Sequence, residues 1–140
     1  MKISIITISF NANDTIEKTL KSVVGQSYKN IEHLIIDGGS KDNTIEICNS
    51  FSHISKIISE SDKGVYDAFN KGLKLATGEI IGFLNADDVF YSEKAVEDLV
   101  KTPPIGQLWS SSIKRRSSLS WKGCLIPENI VDNFIPFKLL

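Results

Sequence analysis

The chain has 140 residues, 41% of them hydrophobic, and a formal net charge of −1. These values describe one globular domain with a sizeable core and argue against nucleic acid as its main partner. The charge is uneven: residues 1–98 carry ten basic and fifteen acidic side chains, residues 99–140 six and two, and no acid occurs between Leu99 and Pro127.

Ile3 to Ser9 is a β-branched run that predicts a buried strand. Asn13 to Glu17 opens a helix, with Asp14 and Glu17 at capping-box spacing and Ile16, Leu20, Val23 and Val24 as its apolar stripe. Ile31 to Asp37 predicts a second strand, bounded by Gly38-Gly39. Asp42 suits the cap of a second helix with Ile45, Cys48 and Phe51 inward, and Ile54 to Ser59 is a weaker third strand. Gly64 to Ala76 reads as a helix with Val65, Phe69, Leu73 and Ala76 on one face. Gly78 stops it, Glu79 to Leu84 is a fourth strand, and Ser92 caps a last helix to about Lys101.

Strands alternating with helices predict an α/β fold with a mostly parallel, doubly wound sheet and flanking helices. After Thr102 come Pro103-Pro104 and six serines between Ser110 and Ser120, around Lys114-Arg115-Arg116. Residues 1–101 therefore read as the folded unit and 102–140 as a divergent, basic, Ser-rich tail, poorly ordered or loosely docked over 103–124, with Phe134 to Leu140 as a short packed element. Cys48 and Cys124 match no metal-ligand spacing and read as reduced thiols of a cytoplasmic protein, against the alternative of a single disulfide. The apolar start, Met1 to Ile8, is too short to span a bilayer and lacks a small-residue cleavage site. The basic tail would favour a peripheral place at an anionic membrane surface, against the plainer reading of a solvated stretch.

Four predicted strand ends are polar, and parallel strands open their carboxyl ends onto one rim, where α/β folds place ligands. Ile80 to Leu84 runs into Asn85-Ala86-Asp87-Asp88. Adjacent carboxylates repel unless a cation or a proton sits between them, so this end suits a divalent metal beside a phosphate-bearing substrate. Ser9-Phe10-Asn11-Ala12-Asn13 follows the first strand and suits a base or a phosphate, against ordinary helix capping. Asp37-Gly38-Gly39-Ser40 follows the second: Asp37 can accept from a base N–H or a ribose hydroxyl, and the glycines allow close approach, against a plain tight turn. Ser61 to Gly72 is dense in polar groups, and Lys63 or Lys71 could balance phosphate charge. His33 and His53 stand alone and read as surface or packing residues.

Together, Ile5 to Asn11, Ile35 to Thr44, Asp62 to Gly72 and Ala76 to Asp88 resemble, in order and spacing, the inverting nucleotide-sugar glycosyltransferases of family 2 with the GT-A fold. The resemblance covers residues 1 to about 101. It implies a nucleotide-diphosphate sugar donor, a UDP-sugar first, and a Mg²⁺ or Mn²⁺ ion. Thr7 and Asp37 match the positions that hold the base, and Asp87 and Asp88 match the acidic motif that meets ribose and metal. Ser9, Asn11, Gly38, Asp62, Lys63, Asn70 and Asn85 complete the implied nucleotide-sugar site, Asn85 departing from the family's common Asp. The implied function is sugar transfer with inversion in polysaccharide, lipopolysaccharide or glycolipid assembly.

Inversion requires a carboxylate base on the face opposite the leaving group. In the family that base and the acceptor groove lie in the second half of the domain. Only about fifty residues follow Asp88, none in a convincing base motif, and the change of composition suggests truncation, deletion or a shifted reading frame. The catalytic base and the acceptor thus stay unassigned. The alternative is a non-catalytic donor half that binds nucleotide sugar and metal, and a sheet cut short would expose an edge that a second copy could cover. A dinucleotide-binding domain is disfavoured because no Gly-x-Gly-x-x-Gly follows the first strand.

Overall fold

In the computed structural model, residues 1–101 and the backbone of 113–114 are described. The elements are β1 (Ile3–Ser9), α1 (Ile16–Val24), β2 (Ile31–Asp37), α2 (Thr44–Asn49), β3 (Ile54–Ser59), α3 (Val65–Leu75), β4 (Ile80–Phe83), β5 (Val89–Phe90), α4 (Ala95–Lys101) and β6 (Ile113–Lys114). β1 to β4 form one parallel sheet in the order β3-β2-β1-β4, and β5 pairs antiparallel with β6. The short β5 was not foreseen, and β6 falls inside the stretch read as poorly ordered. The remaining expectations for the tail, and Cys124, lie outside the described residues.

Every residue of the central strand β1 is buried, as a strand covered on both faces requires. Ile3 and Ile5 pack with Val23, Leu84, Val96 and Leu99, while Ile35 packs with Ile16, Leu20 and Cys48. The alternate residues Ile6, Ile8, Leu34 and Ile36 pack with Ala68, Phe69 and Leu73. Helices α1, α2 and α4 thus cover one face and α3 the other. The Phe69 ring meets Phe83 edge-on at 4.4 Å between centroids. Gly72 lets α3 lie directly on β1, since a Cβ there would sit 2.5 Å from Ile6 Cγ2.

Several local expectations are corrected. Asp14 and Glu17 form no capping box: α1 begins at Ile16 with Thr15 at its N-cap and no side-chain cap bond, and Glu17 instead pairs with Lys21 at 2.6 Å. Val24 and Val65 are exposed, Val24 as the last residue of α1 and Val65 as the first of α3. In α1 the stripe is completed by Thr19, which is fully buried. Asp42 serves the entrance of α2 from one residue further out, its Oδ1 accepting from Thr44 N–H at 3.0 Å. His33 is buried and does not stand alone: its Nδ1 lies 3.0 Å from His53 Nε2, and its Nε2 lies 2.9 Å from Thr7 Oγ1.

At the amino rim of the sheet, the buried Glu32 carboxylate accepts from Ser4 Oγ at 2.5 Å, Lys2 Nζ at 3.0 Å and Thr77 N–H at 2.8 Å. Burial pushes this carboxyl up, but those hydrogen bonds outweigh it and bring its pKa down to about 2. Gly78 completes the contact, because a Cβ there would lie 2.5 Å from Ser4 N. The segment Ala76 to Glu79 thus fixes the base of the fold.

Candidate functional site

The opposite rim carries the polar strand ends. Ser9, Asp37 and Ser59 stand side by side in the register of β1, β2 and β3. Asp37 is only 1% exposed. Its Oδ1 accepts from the hydroxyls of Ser9 (2.9 Å) and Ser40 (2.5 Å); its Oδ2 accepts from Gly39 N–H (3.1 Å), Ser40 N–H (2.8 Å) and the Ser59 hydroxyl (2.7 Å). Burial acts to raise its pKa, and these donors, Ser40 first, overcome it and hold the carboxyl below the usual carboxylate range. Asp37 therefore stays ionised and shapes the Gly38-Gly39-Ser40 loop.

Gly39 has φ +85°, a backbone that favours glycine. Gly38 leaves room for a neighbour: a Cβ there would lie 2.9 Å from Asp62 Oδ2 and 3.4 Å from the Phe10 ring. Asn11, with φ 46°, ties the first loop to the second, its N–H donating to Ser40 Oγ at 2.8 Å and its Oδ1 accepting from Lys41 N–H at 2.9 Å. Asp62 Oδ1 accepts from Gly64 N–H at 2.9 Å. Ser9, Asn11, Asp37, Gly38 and Asp62 are thus brought together at one end of the sheet.

The other predicted residues are placed differently. Thr7 is two residues below the rim, buried against His33. Lys63 is exposed, and its N–H donates to Asp67 Oδ2 at 3.1 Å. Lys71 is engaged by Glu60 at 3.0 Å and Asp67 at 3.3 Å. Asn70 is exposed on α3, five residues or about 7.5 Å along the axis from its start.

The acidic turn lies beside the end of β1. Pairing continues past β4, with Leu84 N–H donating to Ile6 O at 2.9 Å and Ala86 N–H to Ile8 O at 3.1 Å. The turn closes through Asp88 N–H to Asn85 O at 3.0 Å and through Asn85 Nδ2 to Asp88 Oδ2, also 3.0 Å. Asn85 is thus a neutral donor where a third acid would add repulsion. Asp88 is 2% exposed and Asp87 half-buried. Among the described residues no group of three or more His, Cys, Asp or Glu could hold a metal. The pair Asp87–Asp88 still fits a Mg²⁺-type ion, which commonly takes one or two carboxylates and fills its shell with phosphate oxygens and water.

The residues missed from sequence are Phe10, 64% exposed over Gly38; Ser40 and Ser59, which hold Asp37; and Thr19, which holds the acidic turn. Thr19 carried a signal, a polar residue at the helical period of an apolar stripe. Phe10 carried one too, an aromatic residue between two polar ones just past a buried strand.

The model of glycosyl transferase family 2 matches residues 4–103. The chain belongs to glycosyl transferase family 2. Relatives of this family 2 chain include an uncharacterised glycosyltransferase of Mycobacterium tuberculosis, 38% identical over 98% of this chain and 51% of its own length. A second, from Escherichia coli, is named a UDP-Glc:α-D-GlcNAc-diphosphoundecaprenol β-1,3-glucosyltransferase and is 42% identical over 66% of this chain and 38% of its own. The chain thus spans about half the length, or less, of these curated relatives. The M. tuberculosis match covers nearly the whole chain, so similarity extends past residue 101, where the sequence-based resemblance stopped.

Among solved structures, Staphylococcus aureus TarS in complex with UDP-GlcNAc superposes with a TM-score of 0.66 at 25% identity, covering 72% of this chain and 30% of TarS. A Pyrobaculum calidifontis mannosyltransferase in complex with GDP-Man and Mn²⁺ gives 0.67 at 24% identity, covering 75% and 34%. The fold is the α/β GT-A arrangement. No helix among the described residues is long and apolar enough to cross a membrane.

Proposed function

We propose that this chain carries the donor-binding half of an inverting family 2 glycosyltransferase and holds a nucleotide-diphosphate sugar, a UDP-sugar first, with Mg²⁺ or Mn²⁺. The observation that carries the reading is the shared rim: the preorganised Asp37 loop and the Asn85–Asp88 turn flank the carboxyl end of β1. On this reading the Gly38 backbone and Asp62 receive the base and ribose, and the exposed Phe10 ring offers a stacking face. Asp87 and Asp88 hold the ion next to the diphosphate. When bound, the divalent cation stabilises the charge that develops on the leaving diphosphate. The names of similar proteins support the donor and the metal: TarS is described with UDP-GlcNAc and the Pyrobaculum enzyme with GDP-Man and Mn²⁺.

The acceptor is proposed to be a glycan or lipid-linked saccharide, handled at the inner face of the membrane. The diphosphoundecaprenol acceptor in the E. coli relative's name and a mycobacterial relative named for PGL/p-HBAD biosynthesis support that class. A second reading is donor binding without transfer by this chain alone.

The test is a thermal-shift panel with UDP, GDP, dTDP and CMP, each with and without Mn²⁺. A ligand at 100 times its Kd adds about 2.7 kcal/mol, which raises the Tm of a domain this size by several degrees. A Mn²⁺-dependent rise with UDP is expected. A cooperative melt that no nucleotide moves would sink the donor-site reading.

A further inference from the structure

Helix α1 carries a polar stripe that the donor site does not itself use. Thr19 and Ser22 on α1, and Gln26 just past its C-cap, face residues 86–96. The Thr19 hydroxyl, fully buried, lies 2.9 Å from Ala86 O and 2.8 Å from Asp88 O. Ser22 Oγ accepts from Phe90 N–H at 3.3 Å. Gln26 Nε2 donates to Ser92 O at 2.8 Å, and its Oε1 accepts from Val96 N–H at 3.0 Å. These contacts run from side chain to backbone, so they fix the path of the segment whatever side chains it bears. Only Thr19 reaches the acidic turn, and it does so at two carbonyls flanking Asp87.

We propose that Thr19 is a positioning residue: its hydroxyl, shared between Ala86 O and Asp88 O, holds the turn in the shape that aims Asp87 and Asp88 at a common divalent ion. The inference rests on the donor-site reading. Two other closures, Asp88 N–H to Asn85 O and Asn85 Nδ2 to Asp88 Oδ2, lie within the turn and do not fix it against the sheet. Ala86 N–H to Ile8 O ties down its leading side, and Thr19 is the tie from α1 to its trailing carbonyl. A threonine does this at low entropic cost, because its χ1 is stiff in a helix. A valine keeps the shape and removes the donor.

The test uses the full chain and two variants, Thr19→Val and Thr19→Ser. Mn²⁺ binding is titrated by the EPR signal of the free ion at saturating UDP, UDP binding is measured separately without metal, and Tm is recorded for each protein. Loss of a partner that orients a metal ligand typically costs roughly 10-fold or more in metal affinity. Thr19→Val should therefore weaken Mn²⁺ binding about tenfold, leave metal-free UDP binding unchanged, and be rescued by Thr19→Ser. Ser22→Ala serves as the control that lowers Tm without moving Mn²⁺ affinity. A folded Thr19→Val protein with wild-type Mn²⁺ affinity overturns the proposal, since a merely structural hydroxyl would move only Tm. Thr19→Ala is read in its place if the valine variant does not fold. Failure of the wild-type chain to bind Mn²⁺ with UDP would instead overturn the donor-site reading beneath it.

Discussion

Asp37→Asn is the most exacting test of the rim. The carboxylate takes two backbone N–H and three hydroxyl donors and is 1% exposed, so solvent replaces none of them. An asparagine can keep its oxygen toward Gly39, Ser40 and Ser59, but its NH₂ then faces the Ser9 and Ser40 hydroxyls, which must turn to accept. Hydrogen bonds to a charged group contribute roughly 1.5–3 kcal/mol each and neutral ones roughly 0.5–1.5. Spread over five bonds and offset by the relief of a buried charge, the loss is about 2–4 kcal/mol. With an m-value of roughly 2 kcal/mol/M in urea, the midpoint should fall by about 1–2 M, read by far-UV circular dichroism. The pH dependence follows from the lowered carboxyl: a group ionised more readily in the folded state contributes fully above its unfolded value of 3.8 and is lost as pH falls below it. The variant's deficit should therefore be the same at pH 7 and pH 5. A midpoint shift below about 0.3 M at unchanged m would refute the network, and metal-free UDP affinity unaltered by the substitution would reject a donor-site role for Asp37.

Four further outcomes are expected. His33 is held neutral, its pKa lowered to about 3 by burial and by His53 beside it. The unfolded chain takes up a proton below 6.5 that the folded one refuses, so stability is complete above pH 6.5 and falls by up to about 1.4 kcal/mol per pH unit as acid is added. Urea melts at pH 7.5 and 5.5 should show a clearly smaller acid loss in His33→Gln than in wild type, and equal losses would contradict it. Gly72→Ala should cost about 1–3 kcal/mol, because its methyl meets Ile6 Cγ2 at 2.5 Å, and an unchanged Tm would mean that α3 stands further from β1. Phe69→Asp should abolish the cooperative melt by burying an unpaired charge, while Val65→Asp, on an exposed first helical residue, should change stability by less than about 0.5 kcal/mol. Asp88→Ala should remove the Mn²⁺ dependence of the nucleotide thermal shift, and a retained dependence would dissociate the metal from the turn.

What was legible in the sequence and what was not divide along a physical line. The strands Ile3–Ser9, Ile31–Asp37 and Ile54–Ser59 stand at the residues expected, because each is rich in isoleucine and bounded by polar or glycine residues; burial is complete in β1 and fades toward β3, the strand whose signal is weakest. The order of elements and the rim followed, since parallel strands must all finish at one end. Helix ends were less legible. Val24 and Val65 keep the apolar period yet are exposed at a helix terminus, and periodicity carries no information about where burial stops. Polar side chains that bond distant groups were least legible. Thr19 and Gln26 bond backbone as far as 70 positions away, with no side-chain identity to mark the partner, and the Ser40 and Ser59 hydroxyls bond the Asp37 carboxylate from 3 and 22 positions away. That class of contact builds this rim: the acids announce the chemistry, and unremarkable hydroxyls and amides decide where the acids point. The same division explains His33. From sequence it read only as a surface or packing residue, because its pairing with His53, just before β3, depends on the register of β2 against β3, and composition cannot reveal that.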